Sequence, residues 1–413
     1  MRIVYLALMV VAALVLGCSS DDGNSPSKTD ELEKFDPVPI QKTNSTEVFM
    51  HYMTWFETKE SSDNNAWGIH WTMANQNPDN IVEGKRDIAS HYYPLIGPYH
   101  SGDKDVIEYH LLLMKYSGID GLLFDWYGTY DVNDYAIVDE NTQAVIDLMD
   151  EVGLKYAFVY EDRTLPEVVN AGMAVTNESA AKTDMRYLEA NHFNQDAYIQ
   201  INNQPLLMVF GPITLQSPDN WTNVFSVFSK QPTFLTLWNE SADAGDNADG
   251  EYAWVYQDND HLSDFYTNRY SQLNVAMGSA YPGFHDFYEE GGWGSEIGWT
   301  IDHQNGATLD ETLDLALDAD VDYLQLITWN DFGEGTMFEP TDEFGYSFIE
   351  KIKAYTGVTD QQSIFEDIHT LYQYRKKYSG DATVQKKLDQ VFYYLVSVQT
   401  DKALSLLNEL GDD

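Results

Sequence analysis

The sequence predicts an α/β protein: a (β/α)8 TIM-type barrel with a C-terminal helical appendage. Three observations carry that expectation. Between about Glu47 and Thr356, eight short runs rich in β-branched and aromatic residues recur, each bounded by Gly, Asn or Asp. Segments with apolar residues three to four apart lie between most of them. The stretch 47–356 also has the size of such a barrel, typically about 250 residues before insertions. An open doubly wound sheet is the competing fold, because the sixth run is weakly marked and the segment after Asn239 reads as loop.

The runs are VFMHYMTW (Val48–Trp55), GIDGLLFDWYG (Gly118–Gly128), LKYAFVYE (Leu154–Glu161) and PLLMVFG (Pro205–Gly211). They continue with TFLTLWN (Thr233–Asn239), AWVYQ (Ala253–Gln257), VAMGSAYPG (Val275–Gly283) and YLQLITWND (Tyr323–Asp331). Of the intervening helices, DKDVIEYHLLLMKYSG has Asp103 as its expected cap and stops at Gly118. NTQAVIDLMDEVG and TLDETLDLALDAD show the same three-to-four spacing. Beyond residue 357 the strand signal disappears. Residues 357–413 read as two or three helices packed on the barrel, with Val384, Leu388, Val391, Leu395 and Val398 on one stripe. A partner-binding helical hairpin is the other reading of that segment.

Ahead of the barrel, residues 1–18 form a lipoprotein signal peptide with a lipobox. Arg2 precedes a short apolar stretch that ends in Leu-Val-Leu-Gly-Cys, too short to span a bilayer. Cys18 is therefore the expected lipidation site and membrane anchor. It is the single cysteine, so the chain has no intrachain disulfide. Residues 19–46 follow as an acidic, flexible tether. Acidic residues directly after such a cysteine resemble the export signal of bacterial surface lipoproteins. The expected location is the outer membrane, facing the periplasm or the cell surface, where glycan-uptake proteins are the implied partners.

The net charge of −44 excludes nucleic acid as a partner, since a chain this acidic repels phosphate backbones. Aromatic residues make up 14% of the chain, an unusual supply of flat apolar faces. No phosphate loop, G-x-G-x-x-G after the first run, or G-x-S-x-G elbow occurs. The 10 His include no H-E-x-x-H. No cofactor and no resident metal are expected, with calcium on surface acids left open.

In a barrel the working residues lie where strands finish. Those ends offer Trp55 and Glu57, then Asp125, Trp126 and Tyr127, then Glu161 and Asp162. Asn239 and Glu240 follow the fifth run, His285 and Asp286 the seventh, and Asp331 and Glu334 the eighth. Carboxyls beside indole and phenol rings suit glycoside hydrolysis, where rings carry the C–H face of a sugar and paired carboxyls move protons. Asp331 and Glu334 form the sharpest pair, with Gly333 expected to let the turn fold so that both face one cleft.

Several motifs make the resemblance specific. HYYPLIGPYHSGDKDVIEYHLLLMKYSGIDGLLFDWYG (His91–Gly128) resembles a segment of glycoside hydrolase family 99, endo-acting α-mannosidases and α-mannanases on a (β/α)8 barrel. WGIHW (Trp67–Trp71), AFVYE (Ala157–Glu161), YPGFHD (Tyr281–Asp286) and WNDFGEGT (Trp329–Thr336) follow the family's order. The resemblance implies that Glu334 is general acid, then base, and that Asp331 takes the proton of the sugar 2-hydroxyl as that oxygen attacks C1. It also implies sugar contacts from Tyr52, Trp71, Trp126, Tyr127, Glu161, Asp286, Trp329 and Asn330. Asp331 departs from the family's Glu by one methylene, about 1.5 Å of reach. WNDFGE is in fact similar to the Asp–Glu pair of family 71, the α-1,3-glucanases. Two substrates thus stand open, an α-mannan or mannose-rich glycan and an α-1,3-glucan. A non-catalytic glycan-binding lipoprotein is the alternative from another class.

Overall fold

A strand buried on both faces has to be largely apolar, and the runs read above are, with isolated buried polar residues such as His51, Asp125 and Gln325. The computed structural model describes residues 32–295, 297–359 and 364–411. It contains eight parallel strands: β1 (Glu47–Tyr52), β2 (Gly121–Trp126), β3 (Lys155–Tyr160), β4 (Gln204–Val209), β5 (Thr233–Leu237), β6 (Gly250–Tyr252), β7 (Val275–Ala280) and β8 (Tyr323–Leu326). Neighbours in the chain pair in order, and β8 pairs with β1 through Glu47 opposite Tyr323, so the sheet closes on itself. The fold is a (β/α)8 barrel, and the open-sheet alternative is excluded by that closure.

The sixth strand differs from expectation. It spans Gly250–Tyr252, not Ala253–Gln257. Gly250 reads as a turn residue in the sequence, yet it is there because the strands crowd. A Cβ at that position would meet the Val275 carbonyl oxygen at 1.6 Å. Asp249 marks the start by accepting the backbone N–H of Phe234 at 2.9 Å.

Helices follow each strand: α1 (Lys104–Tyr116), α2 (Tyr135–Val152), α3 (Asn177–Asn191), α4 (Pro218–Phe225), α5 (Ser241–Ala244), α6 (Asn259–Asp264), α7 (Ala307–Asp318) and α8 (Ser347–Thr356). Asp103 caps α1 by accepting from the Asp105 N–H at 2.9 Å. The outer ring is uneven, since α5 is a single turn and α6 little more.

Beyond the barrel come α9 (Phe365–Lys377), α10 (Ala382–Val396) and α11 (Thr400–Gly411). The stripe on α10 buries Leu388, Val391 and Leu395, while Val398 lies past the helix in a left-handed turn (φ 58°). Arg375 on α9 is 4% exposed and pairs with the equally buried Glu108 of α1 at 2.9 Å, locking the appendage to the barrel.

Residues 32–46 do not hang free. Val38 N–H donates to the Val396 carbonyl, Phe35 packs on Tyr394, and Lys42 pairs with Asp120 at the start of β2. Cys18 and the rest of the expected signal and tether lie outside the described residues. Among the described residues, no helix is long and apolar enough to cross a membrane.

Candidate active site

The strand alternation decides which side chains can reach the barrel mouth. Along β2, Asp125 turns inward, and in the register it sits between β1 and β3 beside Val159. Trp126, one residue on, turns outward, where its indole donates to Asp139 at 2.8 Å and stacks on Tyr187. Tyr52 on β1 is likewise outward, bonded to His110 of α1 at 2.8 Å. Trp329 packs on the same His110. Trp71, in a short loop helix, donates to the Tyr99 carbonyl at 2.8 Å and stacks on Phe56. All four rings are fully enclosed, so none presents a face to a sugar, contrary to expectation. They form the packing between barrel, helices and loops.

Asn330 is also fully buried. Its amide exchanges hydrogen bonds with the backbone N–H and carbonyl of Met53, both 2.9 Å, and donates to Tyr99 at 3.0 Å. It clasps the β8 end to the β1 end. Asp286 accepts from the N–H groups of Tyr288 and Ile297 at 3.1 and 3.2 Å, shaping the loop after β7.

The remaining expected residues converge. Asp331, Glu334 and Tyr127 line a cavity of about 440 Å³ at the C-terminal ends of the strands. Glu161 stands behind its wall, its carboxylate paired with Arg163 Nε at 2.8 Å. Arg163, Tyr288, Trp55 and Trp293 complete the walls. Trp55 lies flat on His70, ring centroids 4.2 Å apart, and His70 bonds Asp134 at 3.0 Å. Tyr288 and Trp293 lie nearly parallel, 6.2 Å apart.

The turn after β8 is rigidly built. Asp331 accepts the Glu334 N–H at 2.9 Å, and its own N–H donates to Thr328 Oγ1 at 2.8 Å. His285 N–H donates to the Glu334 carbonyl at 2.8 Å, and Tyr288 O–H to Glu334 Oε1 at 2.7 Å. The left-handed residue is Gly335 (φ 66°), where a Cβ would meet the His285 carbonyl at 2.8 Å, and not Gly333, whose φ is not positive.

Four carboxyls share this mouth with one guanidinium. Burial pushes Asp331 well above the usual carboxylate range, and the Glu334 charge adds to the shift. Burial also raises Glu334, while the Tyr288 hydroxyl opposes it by favouring the anion. Asp125 is driven well up by burial and by its neighbour Glu161. Glu161 is pushed up to about 7 by burial, with Arg163 pulling the other way. The Asp125 and Glu161 carboxyls are in hydrogen-bond contact, which requires a proton on one of them. A site that holds ionised and protonated carboxyls side by side is equipped for acid/base work. Among the described residues, no group of three or more His, Cys, Asp or Glu is placed to hold a metal ion.

Sequence reasoning missed Arg163, Tyr288 and Trp293 as site residues and left Asp125 and Trp55 among the unselected strand ends. The period-2 alternation was the available signal for Asp125. Tyr288 and Trp293 come from the long loop after β7, whose path no short motif specifies, while Trp55 and Arg163 lie three residues past the ends of β1 and β3.

The glycosyl hydrolase family 99 model matches residues 45–235. Over those residues the chain is similar to family 99, and a glycosidase is the enzyme class that the similarity indicates. The match covers the barrel from β1 into β5 and ends before Asp331 and Glu334. A zebrafish (Danio rerio) glycoprotein endo-alpha-1,2-mannosidase-like protein is 21% identical over 71% of this chain and 70% of its own length. The mouse (Mus musculus) glycoprotein endo-alpha-1,2-mannosidase is 22% identical over 76% of this chain and 71% of its own. The family 99 endo-alpha-mannosidase structure from Bacteroides thetaiotaomicron superposes with a TM-score of 0.60 at 18% identity, covering 76% of this chain and 97% of that one. At that identity, the structural likeness carries the barrel fold alone.

Proposed function

We propose that this glycoside hydrolase cleaves within an α-linked mannan or mannose-rich glycan, and that Asp331 and Glu334 are its catalytic carboxyls. The observation that carries the proposal is the placement of both carboxyls in one aromatic-walled cavity at the barrel mouth, on a turn pinned by Tyr288 and Thr328. Glu334 protonates the glycosidic oxygen as the C1–O bond breaks. Asp331 accepts the 2-hydroxyl proton while O2 closes on C1, a step that needs its ionised form, which burial and the Glu334 charge confine to higher pH. Water then opens the resulting 1,2-anhydro sugar, giving its proton to Glu334, and the proton on Asp331 returns to O2. Trp55, Tyr127 and Trp293 supply the ring faces for the sugar, and Arg163 pairs with Glu161 behind the wall.

The mature protein is secreted and anchored through a lipid on Cys18 in the outer membrane, where released oligosaccharides pass to uptake proteins. The Leu-Gly-Cys motif after a short apolar stretch supports this part.

The test is product analysis of protein lacking residues 1–18 on yeast α-mannan and on α-1,3-glucan, with Glu334→Gln as the control. Oligosaccharides from α-mannan alone, absent with Glu334→Gln, are expected. Release from α-1,3-glucan alone would move the substrate to the family 71 type. Binding without release from either would leave a glycan-binding protein.

A further inference from the structure

A second cavity, of about 770 Å³, opens beside the ends of β5 and β6, larger than the one that holds the carboxyl pair. It exists because the outer ring is thin there. The helix after β5 is the single turn α5, and the chain after α6 continues as a widened turn, Phe265–Arg269. A gap of this origin could be an idle packing defect, and such a defect would be lined by apolar groups. This lining is different. The half-buried Trp238 and the exposed Tyr256 provide ring surface, and Asn239, Asn268 and Gln272 provide amides. The side chains of Asn239, Glu240 and Asn268 and the indole N–H of Trp238 make no hydrogen bond among the described residues.

The floor is fixed by a charge pair that is already consumed. Arg269 donates to both oxygens of the fully buried Glu251, at 2.5 and 2.8 Å, and to Ser241 at 3.1 Å. Among the described lining residues, Arg269 is paired with Glu251 and His261 with Asp258, and Glu240 and Asp264 would repel an anion. Ring faces beside unpaired amides match the C–H faces and hydroxyls of a neutral sugar.

A chain of ring contacts links the cavity to the loop that walls the catalytic mouth. Tyr256 lies edge-on to Trp299, ring centroids 5.9 Å apart, and Trp299 packs on Phe284 at 4.2 Å. Trp299 belongs to the loop after β7 that carries Tyr288 and Trp293 into the carboxyl cavity. One loop therefore walls the carboxyl cavity and, through Trp299, touches the Tyr256 ring that lines the second cavity.

We propose that the cavity between Trp238, Tyr256 and Asn268 is a second saccharide-binding site, which holds a neutral stretch of the glycan polymer while the carboxyl cavity holds the scissile bond. The proposal rests on the glycan-hydrolase reading above. Its test uses Tyr256→Ala and Asn268→Ala, both at exposed positions, in wild-type and Glu334→Gln backgrounds. Retardation is measured in native gels cast with yeast α-mannan, with α-1,3-glucan in parallel. Kinetics are measured on the polymer and on a mannotetraose.

Each variant is expected to weaken retardation and raise KM on the polymer by about fivefold to tenfold, the size of a lost ring contact. The kcat on mannotetraose should stay within about twofold, which a general loss of fold would not allow. Variants that match wild type in retardation and polymer KM overturn the second site and leave the hydrolase reading standing. A wild-type protein that is neither retarded nor active on either polymer overturns both.

Discussion

Tyr288 donates its phenolic hydrogen to Glu334 Oε1 at 2.7 Å and ties the loop after β7 to the turn after β8. The tie is reinforced by the backbone, with His285 N–H on the Glu334 carbonyl and Phe287 N–H on the Gly333 carbonyl at 2.9 Å. Glu334 is thus held in place before any sugar arrives. Its proton affinity is set by two opposed influences, burial upward and the Tyr288 hydroxyl downward.

Removing that hydroxyl has a definite sign. In Tyr288→Phe the anion of Glu334 loses a charge-assisted hydrogen bond worth about 1.5–3 kcal/mol, so its pKa rises by about one unit or more. A general acid works while protonated, so the alkaline limb of the kcat profile should move to higher pH by a similar amount. The kcat at the optimum should fall less than about tenfold. A pH–rate profile that superposes on wild type would show that Tyr288 does not tune Glu334.

The short side chain of Asp331 is part of the turn's construction. It closes a local ring by accepting the N–H of Glu334, and a Cβ on Gly333 would already lie 3.4 Å from Asp331 Oδ1. Asp331→Asn is expected to cut kcat by about 100-fold or more through loss of the base. Asp331→Glu keeps the base but forces the extra methylene against the turn. Misplacing the group by roughly 1 Å should cost on the order of 100-fold as well. Activity of Asp331→Glu at or above wild type would refute the argument from turn geometry.

Buried carboxyls also make stability depend on pH. Burial pushes Glu161 up to about 7 in the folded chain, and burial likewise drives Asp125 and Asp331 well above the usual carboxylate range. A carboxyl raised on folding binds its proton more tightly in the native state. Its stabilisation is therefore complete below the unfolded pKa and lost as pH rises through the folded one. Tm should fall from about pH 5 to pH 8. Asp125→Asn removes one of the titrating groups and should flatten that fall. A Tm that rises over this range, or a slope unchanged in the variant, would contradict the assignment of protons to this cluster.

The barrel was legible because its strands are apolar on both faces and its helices keep their spacing. The exception, β6, is a strand of three residues whose first position has to be glycine, and composition marks such a residue as a turn. The carboxyl pair was legible because two acids around a glycine, Asp331 and Glu334, directly follow an apolar run. The sugar-facing rings were not. Tyr52 and Trp126 sit at strand ends but on the outward parity, one residue from the inward positions held by His51 and Asp125, and Trp329 lies past the end of β8, where strand alternation no longer decides its direction. Motif position alone does not distinguish the two faces. Tyr288 and Trp293 reach the mouth along a loop whose course is decided by tertiary hydrogen bonds such as those Asp286 makes to Tyr288 and Ile297, and Arg163 reaches it from the 3-10 turn directly after β3.

The same logic of buried charge applies to the appendage. Arg375 and Glu108 are each almost fully enclosed, and Arg375 also donates to Asp389 at 2.6 Å, so one guanidinium joins α1, α9 and α10. Arg375→Met leaves the Glu108 carboxyl buried with only the exposed Lys104 nearby, at 3.4 Å. Breaking a buried pair from one side costs about 3–5 kcal/mol, because the remaining charge is uncompensated. Burial already raises Glu108 against the pull of Arg375, and without that pull it rises further. The loss should therefore widen from pH 5 toward pH 8, as the native state increasingly has to give up its proton. Replacing both partners, Arg375→Met with Glu108→Leu, should recover most of the lost stability, since an apolar contact of similar volume carries no unpaired charge. Urea unfolding of the two single variants and the double variant measures the coupling directly. A loss below about 1 kcal/mol in Arg375→Met would mean that the appendage is held by its apolar stripe and not by this pair.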